Sequence, residues 1–216
     1  MEQLPSVLPV FRVRSTILMP RTMLPITIPE ADYLAIAPEI LKNNIVAVIQ
    51  PRPAFINGAR NLELIESFKT GCAGRILDVT IVDNEVSISI YGICRFETVS
   101  EIPTDGTNIK RISVSYDRYI IDIEETIDEP QELDRHRLMS ALGPYFKTLD
   151  VLPNWEEIKR APADVLISAL AMACPFHSSE KQSLLEVVSI KERSDMITKI
   201  IEMNSFNRYD IARTVN

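Results

Sequence analysis

The stretch Phe68 to Ile102, FKTGCAGRILDVTIVDNEVSISIYGICRFETVSEI, constrains the fold more than any other part of the chain. Asp83-Asn84 is a pair that accepts positive φ at both positions, as a two-residue type I′ hairpin loop requires. With that loop, Val82 faces Glu85, and the pairs Ile81–Val86, Val79–Ile88 and Leu77–Ile90 follow at every second step. These pairs are apolar, whereas Thr80–Ser87 and Asp78–Ser89 on the opposite face are polar. A slip of one residue would exchange the two faces. One choice of turn therefore fixes a hairpin with a wet side and a dry side.

The flanking segments extend a β pattern. Val7 to Val13 reads as a short strand whose Pro9 asks for an edge or a start after the proline. Pro20, Pro25 and Pro29 punctuate a second strand over Met23 to Ile28, kinked or at an edge. Glu30 to Asn43 places Tyr33, Leu34, Ile36, Ile40 and Leu41 at helical spacing, with a break expected at Pro38. Ile45 to Ile49 is a continuous apolar run, as in a strand covered on both faces. Pro51 to Leu62 carries two prolines and Asn57-Gly58 and reads as a loop. At its middle, Phe55 and Ile56 either plug the core or form an exposed contact. Gly92 allows a bulge, Cys94 to Ile102 continues as a strand, and Ile112, Val114 and Tyr116 alternate in another. Such a run predicts a small closed or half-closed barrel, which leaves few strand edges unpaired.

Composition changes at Asp122. The acids Asp122, Glu124, Glu125, Asp128, Glu129 and Glu132 read as a solvated linker whose charges suit the start of a following helix. Beyond it the apolar spacing is helical, interrupted at Gly143-Pro144 and near Pro162, with Ser179-x-x-Gln182 as a capping box. The expected class is α+β: a mostly antiparallel β-barrel subdomain with one helix over 1–121, an acidic linker over 122–132, and an α-helical bundle over 133–216.

Bulk properties narrow the function. With 46% hydrophobic and 25% charged residues the chain reads as an ordinary soluble globular protein. A net charge of −7 disfavours nucleic acid, whose phosphates call for a surplus of Lys and Arg. Cys72, Cys94 and Cys174 are far apart, without C-x-x-C, which suits reduced thiols in the cytoplasm. No leader pattern opens the sequence and no apolar run approaches a membrane span.

Catalytic motifs are absent from the sequence. Neither phosphate-cradling glycine loop is present, nor is the nucleophile elbow G-x-S-x-G. Cys174 and His177 invite a nucleophile–base reading, but Pro175 marks a helix end between them. That places Cys174 in a buried helix and His177 in an exposed turn. No catalytic residue, metal site or cofactor is expected.

Several segments together resemble the amino-terminal substrate-binding domain of the Lon ATP-dependent protease, in a free-standing form. Leu8-Pro9-Val10-Phe11, Leu18-Met19-Pro20 and Met23-Leu24-Pro25-Ile26 are similar to its opening. Phe68 to Ile76 and Tyr91 to Phe96 resemble two of its strands. Ala171 to Pro175, Glu180 to Glu186 and Ile190 to Arg193 resemble its helical part. Arg21 stands where the family usually has glycine, and Gly74 where alanine is commoner.

The resemblance implies a PUA-like barrel followed by a helical bundle, and a role in recognising protein substrates or a partner protein, such as a separate Lon-type protease. The ATPase and protease parts of the family are expected to lie outside the chain. Candidate contacts are the loop-borne Met19, Met23, Phe55 and Ile56, methionine being adaptable to varied partners. The alternative is an RNA-binding PUA-like module.

Overall fold

One long strand organises the β half. The computed structural model describes residues 4–56, 59–103, 110–123 and 133–214, the side chains of 53–65 and 207–214 excepted. Its strands are β1 (Val7–Arg12), β2 (Met23–Pro29), β3 (Ile45–Ile49), β4 (Pro51–Ile56), β5 (Ala59–Ser67), β6 (Thr70–Val82), β7 (Glu85–Ile102) and β8 (Arg111–Ser115). Helix α1 (Glu30–Asn43) lies among them, and α2 (Arg135–Thr148), α3 (Trp155–Arg160), α4 (Ala163–Ala173), α5 (Ser178–Glu186) and α6 (Ile190–Thr214) follow.

The sheet runs β2-β7-β6-β3-β1-β8 and closes through a β7–β8 pairing. The first half of β7 pairs with β2, and the second half with β8. A mixed, barrel-like sheet results, parallel only between β1 and β3. Far from being an edge, β1 is paired on both sides. Its Pro9 lies beside Arg111, and the next amide, on Val10, donates to the Lys110 carbonyl. Leu8, Ala47, Ile49, Phe96, Ile112 and Val114 fill the interior.

The hairpin register holds from Val82–Glu85 back to Asp78–Ser89, with φ of 49° at Asp83 and 66° at Asn84. It departs at one place. Ile76, not Leu77, pairs with Ile90, because a bulge inserts Leu77 and leaves it exposed. A second irregularity sits at Ala73/Gly74, where Gly74 pairs with Gly92 and the intervening Ile93 is extra.

Two breaks expected from proline do not occur. Pro38 lies inside α1 and Pro144 inside α2, each helix continuing past it. Only Ile40 of α1 is buried, whereas Leu34 and Leu41 are exposed. The expected loop over 51–62 is also corrected: β4 and β5 pair in a separate ribbon, Ile56 opposite Ala59. A two-stranded ribbon leaves outer edges on which Pro51 and Pro53 withhold no needed donor.

The two halves meet at a buried polar junction. Arg95 is 1% exposed, and its guanidinium grips Asp122 through Nε–H···Oδ2 at 2.8 Å and Nη2–H···Oδ1 at 2.7 Å. Its own amide donates to the same carboxylate at 3.0 Å. Asp122, placed by its sequence neighbourhood in a solvated linker, is thus buried in a short 3-10 helix (Asp117–Ile123). Residues 124–132 lie outside the described residues.

Arg95 Nη1 reaches across to the carbonyls of Leu185 and Val187, and Arg193 donates to those of Leu184 and Val187. Two cations thereby satisfy the orphan carbonyls at the end of α5, where the helix dipole is negative. Burial, and then the nearby Arg95, push Arg193 down to about 9, which leaves it charged at neutral pH. Tyr119 packs beneath Arg95, ring centroid 4.5 Å away, and donates to the Glu186 carbonyl. Beside it, Gln182 donates to the Thr70 carbonyl and Gln50 to that of Ser178.

The connection from β1 to β2 is shared between the halves. Ile17 and Met19 enter the helical core with Leu138, Leu142, Ile167, Leu184 and Ile201, while Leu18 faces the core under α1. Arg21, at φ 61°, adopts the left-handed conformation that glycine takes without cost. Its guanidinium meets Asp164 in the first turn of α4 at 2.7 Å, a contact that glycine could not make.

Candidate functional site

The hairpin and β2 form a three-stranded extension beyond the barrel. Strict alternation buries Leu24, Val86, Ile88 and Ile90, partly buries Ile26 and Ile28, and gathers all six in one core with Tyr33 and Ile36 of α1. The outer face therefore carries the other residue of each pair. Pairing sets Met23 beside Tyr91 and Tyr91 beside Arg75, then Pro25 beside Ser89 and Ser89 beside Asp78. The next row is Thr27, Ser87 and Thr80, with the Thr27 and Ser87 hydroxyls 3.4 Å apart.

Met23 is 45% exposed, Tyr91 37%, and Leu77 at the adjoining bulge 57%. Met23 and Tyr91 thus form an exposed apolar pair bordered by hydroxyls, with Arg75 and Asp78 close by and Leu77 exposed at the neighbouring bulge. Its outer strand β2 pairs on one side only, and Pro25 and Pro29 blunt the free edge against open-ended strand addition. The surface can accept apolar side chains of a polypeptide without inviting stacking of whole sheets.

The residues singled out in the sequence fall in different places. Met23 lies on this outer face. Met19 is 0% exposed in the helical core and offers no surface, because its loop runs between the halves instead of over them. Phe55 and Ile56 lie on β4, with their side chains outside the described residues. Tyr91 and Leu77 were not singled out. An aromatic on the hairpin's wet face was the available signal for Tyr91, whereas the bulge that exposes Leu77 has none.

No thiol–imidazole pair is formed. His177 is the N-cap of α5: its Nδ1 accepts from the Ser179 amide and lies 2.8 Å from the Ser179 hydroxyl, while its own amide donates to Glu180. The capping box thus begins two residues before the expected Ser179. Cys174 is buried, and desolvation raises its thiol to about 11, against a slight lowering by Lys181. Burial, joined by Asp122, raises Cys94 to about 12.

Because the folded values are raised, the protonated thiols stabilise the fold fully below 9.0, the ordinary value. That contribution is lost as pH climbs through about 11 and about 12. All three cysteines are buried and free of disulfides. At mildly alkaline pH the folded chain is expected to leave them unreacted with a coloured disulfide reagent, and denaturant should release all three. A fast-reacting thiol in the folded chain would contradict this burial.

Among the described residues, no group of three or more His, Cys, Asp or Glu side chains could hold a metal ion, and no helix is long and apolar enough to cross a membrane.

A family model for the substrate-binding domain of ATP-dependent protease La (LON) matches residues 7–203. The chain belongs to this family. It is similar to the Lon protease of Dictyoglomus thermophilum, 20% identical over 212 residues, which covers 91% of the chain and 24% of that protein. The Lon protease of Desulfosudis oleivorans is 22% identical over 209 residues, 92% of the chain and 24% of that protein. The chain thus spans about a quarter of these Lon proteases, and its match lies with their substrate-binding part. Among solved structures, the Lon N-terminal domain protein from Xanthomonas campestris matches with TM-score 0.58 and 16% identity, over 89% of this chain and 97% of that one. The N-terminal domain of Mycobacterium avium complex Lon protease matches with TM-score 0.61 and 17% identity, over 90% and 97%. The architecture described above is therefore a Lon N-terminal domain fold.

Proposed function

We propose that this chain is a non-catalytic recognition module that holds unfolded polypeptide segments or a partner protein, in the cytoplasm, through the outer face of β2, β7 and β6. The observation that carries the reading is the match of nearly the whole chain to a substrate-binding family. The surface chemistry supports it. Met23, Tyr91 and Leu77 give an exposed apolar contact, and methionine and tyrosine adapt to varied side chains. The reading treats the β half as a PUA-like barrel and the rest as a helical bundle, and a separate Lon-type protease is the partner to which captured clients would pass. Phe55 and Ile56 on the β4–β5 ribbon are proposed as a second contact; Met19, being buried, is not retained.

The test is anisotropy of a labelled, permanently unfolded client, such as a reduced and carboxymethylated protein. Saturable binding is expected, with the client intact on a gel afterwards. Met23→Asp combined with Tyr91→Asp should weaken it about tenfold, corresponding to about 1.4 kcal/mol, an ordinary cost for losing contact residues. Equal binding by the double variant would remove this face from the account. Cleavage of the client by the purified chain would overturn the non-catalytic reading.

A further inference from the structure

The open end of the barrel has a chemistry unlike the rest of the molecule. The carboxyl ends of β1, β3 and β7 and the amino ends of β6 and β8 converge there around a cleft of about 410 Å³. Its floor is apolar, with Val10, Ile49 and Ile112, and among the described residues its charged lining is Arg12, Lys69, Lys110 and Arg111 with the carboxylate of Glu101, while Glu39 of α1 is near enough to Arg111 to feel its charge. Four cations around one cleft stand out in a chain of net charge −7. Arg12 is held in place: its Nε–H donates to Ser67 Oγ at 3.0 Å, and Nη2 lies 3.9 Å from Glu101. Lys69 and Lys110 are exposed and make no ion pair with any described residue.

An independent observation falls on the same cleft. Among the described residues, the buried side-chain atoms without a hydrogen-bond partner are Thr98 Oγ1 and Arg111 Nε, and both residues line this mouth. Native proteins seldom bury a polar atom unpaired, and water, an ion or a further group is what normally satisfies one.

We propose that the barrel mouth binds an oxyanion, namely the carboxylate of an acidic polypeptide segment, with Lys69, Lys110 and Arg111 around the charge and the apolar floor beneath its aliphatic stem. A polynucleotide is disfavoured because acids as well as cations border the cleft, Arg52 itself being paired in register with Glu66. Glu66 and Glu101, both exposed at this end, would meet the flanking phosphates. The site is separate from the outer sheet face, so its failure would leave the client-binding reading standing, and the converse holds as well.

The experiment uses the full chain and end-capped hexaglutamate as probe, with hexaglutamine, inorganic phosphate and oligouridylate as the other arms. Hexaglutamate should bind saturably, more weakly at higher salt, while hexaglutamine should not bind. Lys69→Ala combined with Lys110→Ala should weaken hexaglutamate binding about fivefold to tenfold with an unchanged unfolding midpoint, since neither lysine supports the fold. Met23→Asp should leave it unaltered. Equal binding of hexaglutamine, or indifference to the lysine pair, would overturn the proposal. Phosphate that displaces the peptide at a lower concentration than the peptide needs would overturn the polypeptide assignment. Tighter binding of oligouridylate lost in the same variant would replace that assignment with a nucleic-acid site.

Discussion

Asp122→Ala is expected to cost about 3–5 kcal/mol of folding stability, the range for breaking one side of a buried ion pair. The loss has three sources. Arg95 would keep its charge with no carboxylate beside it. The amide of Arg95, which donates to Asp122 at 3.0 Å, would be stranded. The guanidinium that joins the β half to the carbonyls ending α5 would lose the partner that aims it. In a chain of this size the cost lowers the thermal midpoint by about 6–20 °C.

The comparison that isolates the mechanism is the double change Arg95→Met with Asp122→Leu. It removes both charges and should recover much of the loss, since apolar replacement of a buried pair is often neutral. It would still leave the Leu185 carbonyl without its Arg95 donor and that of Val187 with Arg193 alone, so recovery should be incomplete. Urea unfolding of the three chains checks this. A single variant within about 1 kcal/mol of the parent would mean that the junction contributes little.

The second large effect is at Gly92. A Cβ built there would lie 2.0 Å from the Met19 carbonyl oxygen and 2.8 Å from its carbonyl carbon. The obstacle is backbone, and that backbone is tied down: the Gly92 amide donates to the Thr22 carbonyl at 2.9 Å, and the Arg21 amide to the Gly92 carbonyl at 2.9 Å. Gly92→Ala must therefore push the connection that carries Ile17 and Met19 out of the helical core. About 3 kcal/mol or more is expected, at or above the usual cost of overpacking. Gly143→Ala is the control, with nothing within 4 Å of the added Cβ. Helix preference favours alanine there and the following Pro144 opposes it, so the change should stay within about 1 kcal/mol. Equal denaturant midpoints for the two variants would contradict the close approach at Gly92.

What could be seen beforehand depended on how local the cause was. The Asp83-Asn84 turn and the alternation around it carry their own register, so the pairs nearest the loop follow from sequence alone. Leu77 does not, because its bulge on β6 offsets the extra Ile93 on β7, an irregularity beyond the reach of the turn. As a sequence signal Asn57-Gly58 suits a hairpin as well as Asp83-Asn84 does, but Pro51 and Pro53 obscure the strand before it. They mark a strand's outer edge as readily as a loop. The Arg95–Asp122 pair joins residues 27 apart in the chain, and in sequence Asp122 cannot be told from the acids after it. Met19 looked like a loop residue because the sequence does not reveal that its loop is sandwiched. At the candidate site, Met23 could be named from its loop-like neighbourhood and Tyr91 from the wet face. Their contact needed the β2–β7 pairing.

Hydrogen–deuterium exchange of the intact chain, with and without saturating unfolded client, locates the surface that holds the client. A client held on the outer sheet face should slow exchange in Met23–Pro29, in the first half of β7 and in the arm of β6 around Leu77, with the helices beyond the junction unchanged. Protection confined to the helices, or none under saturating client, would contradict it.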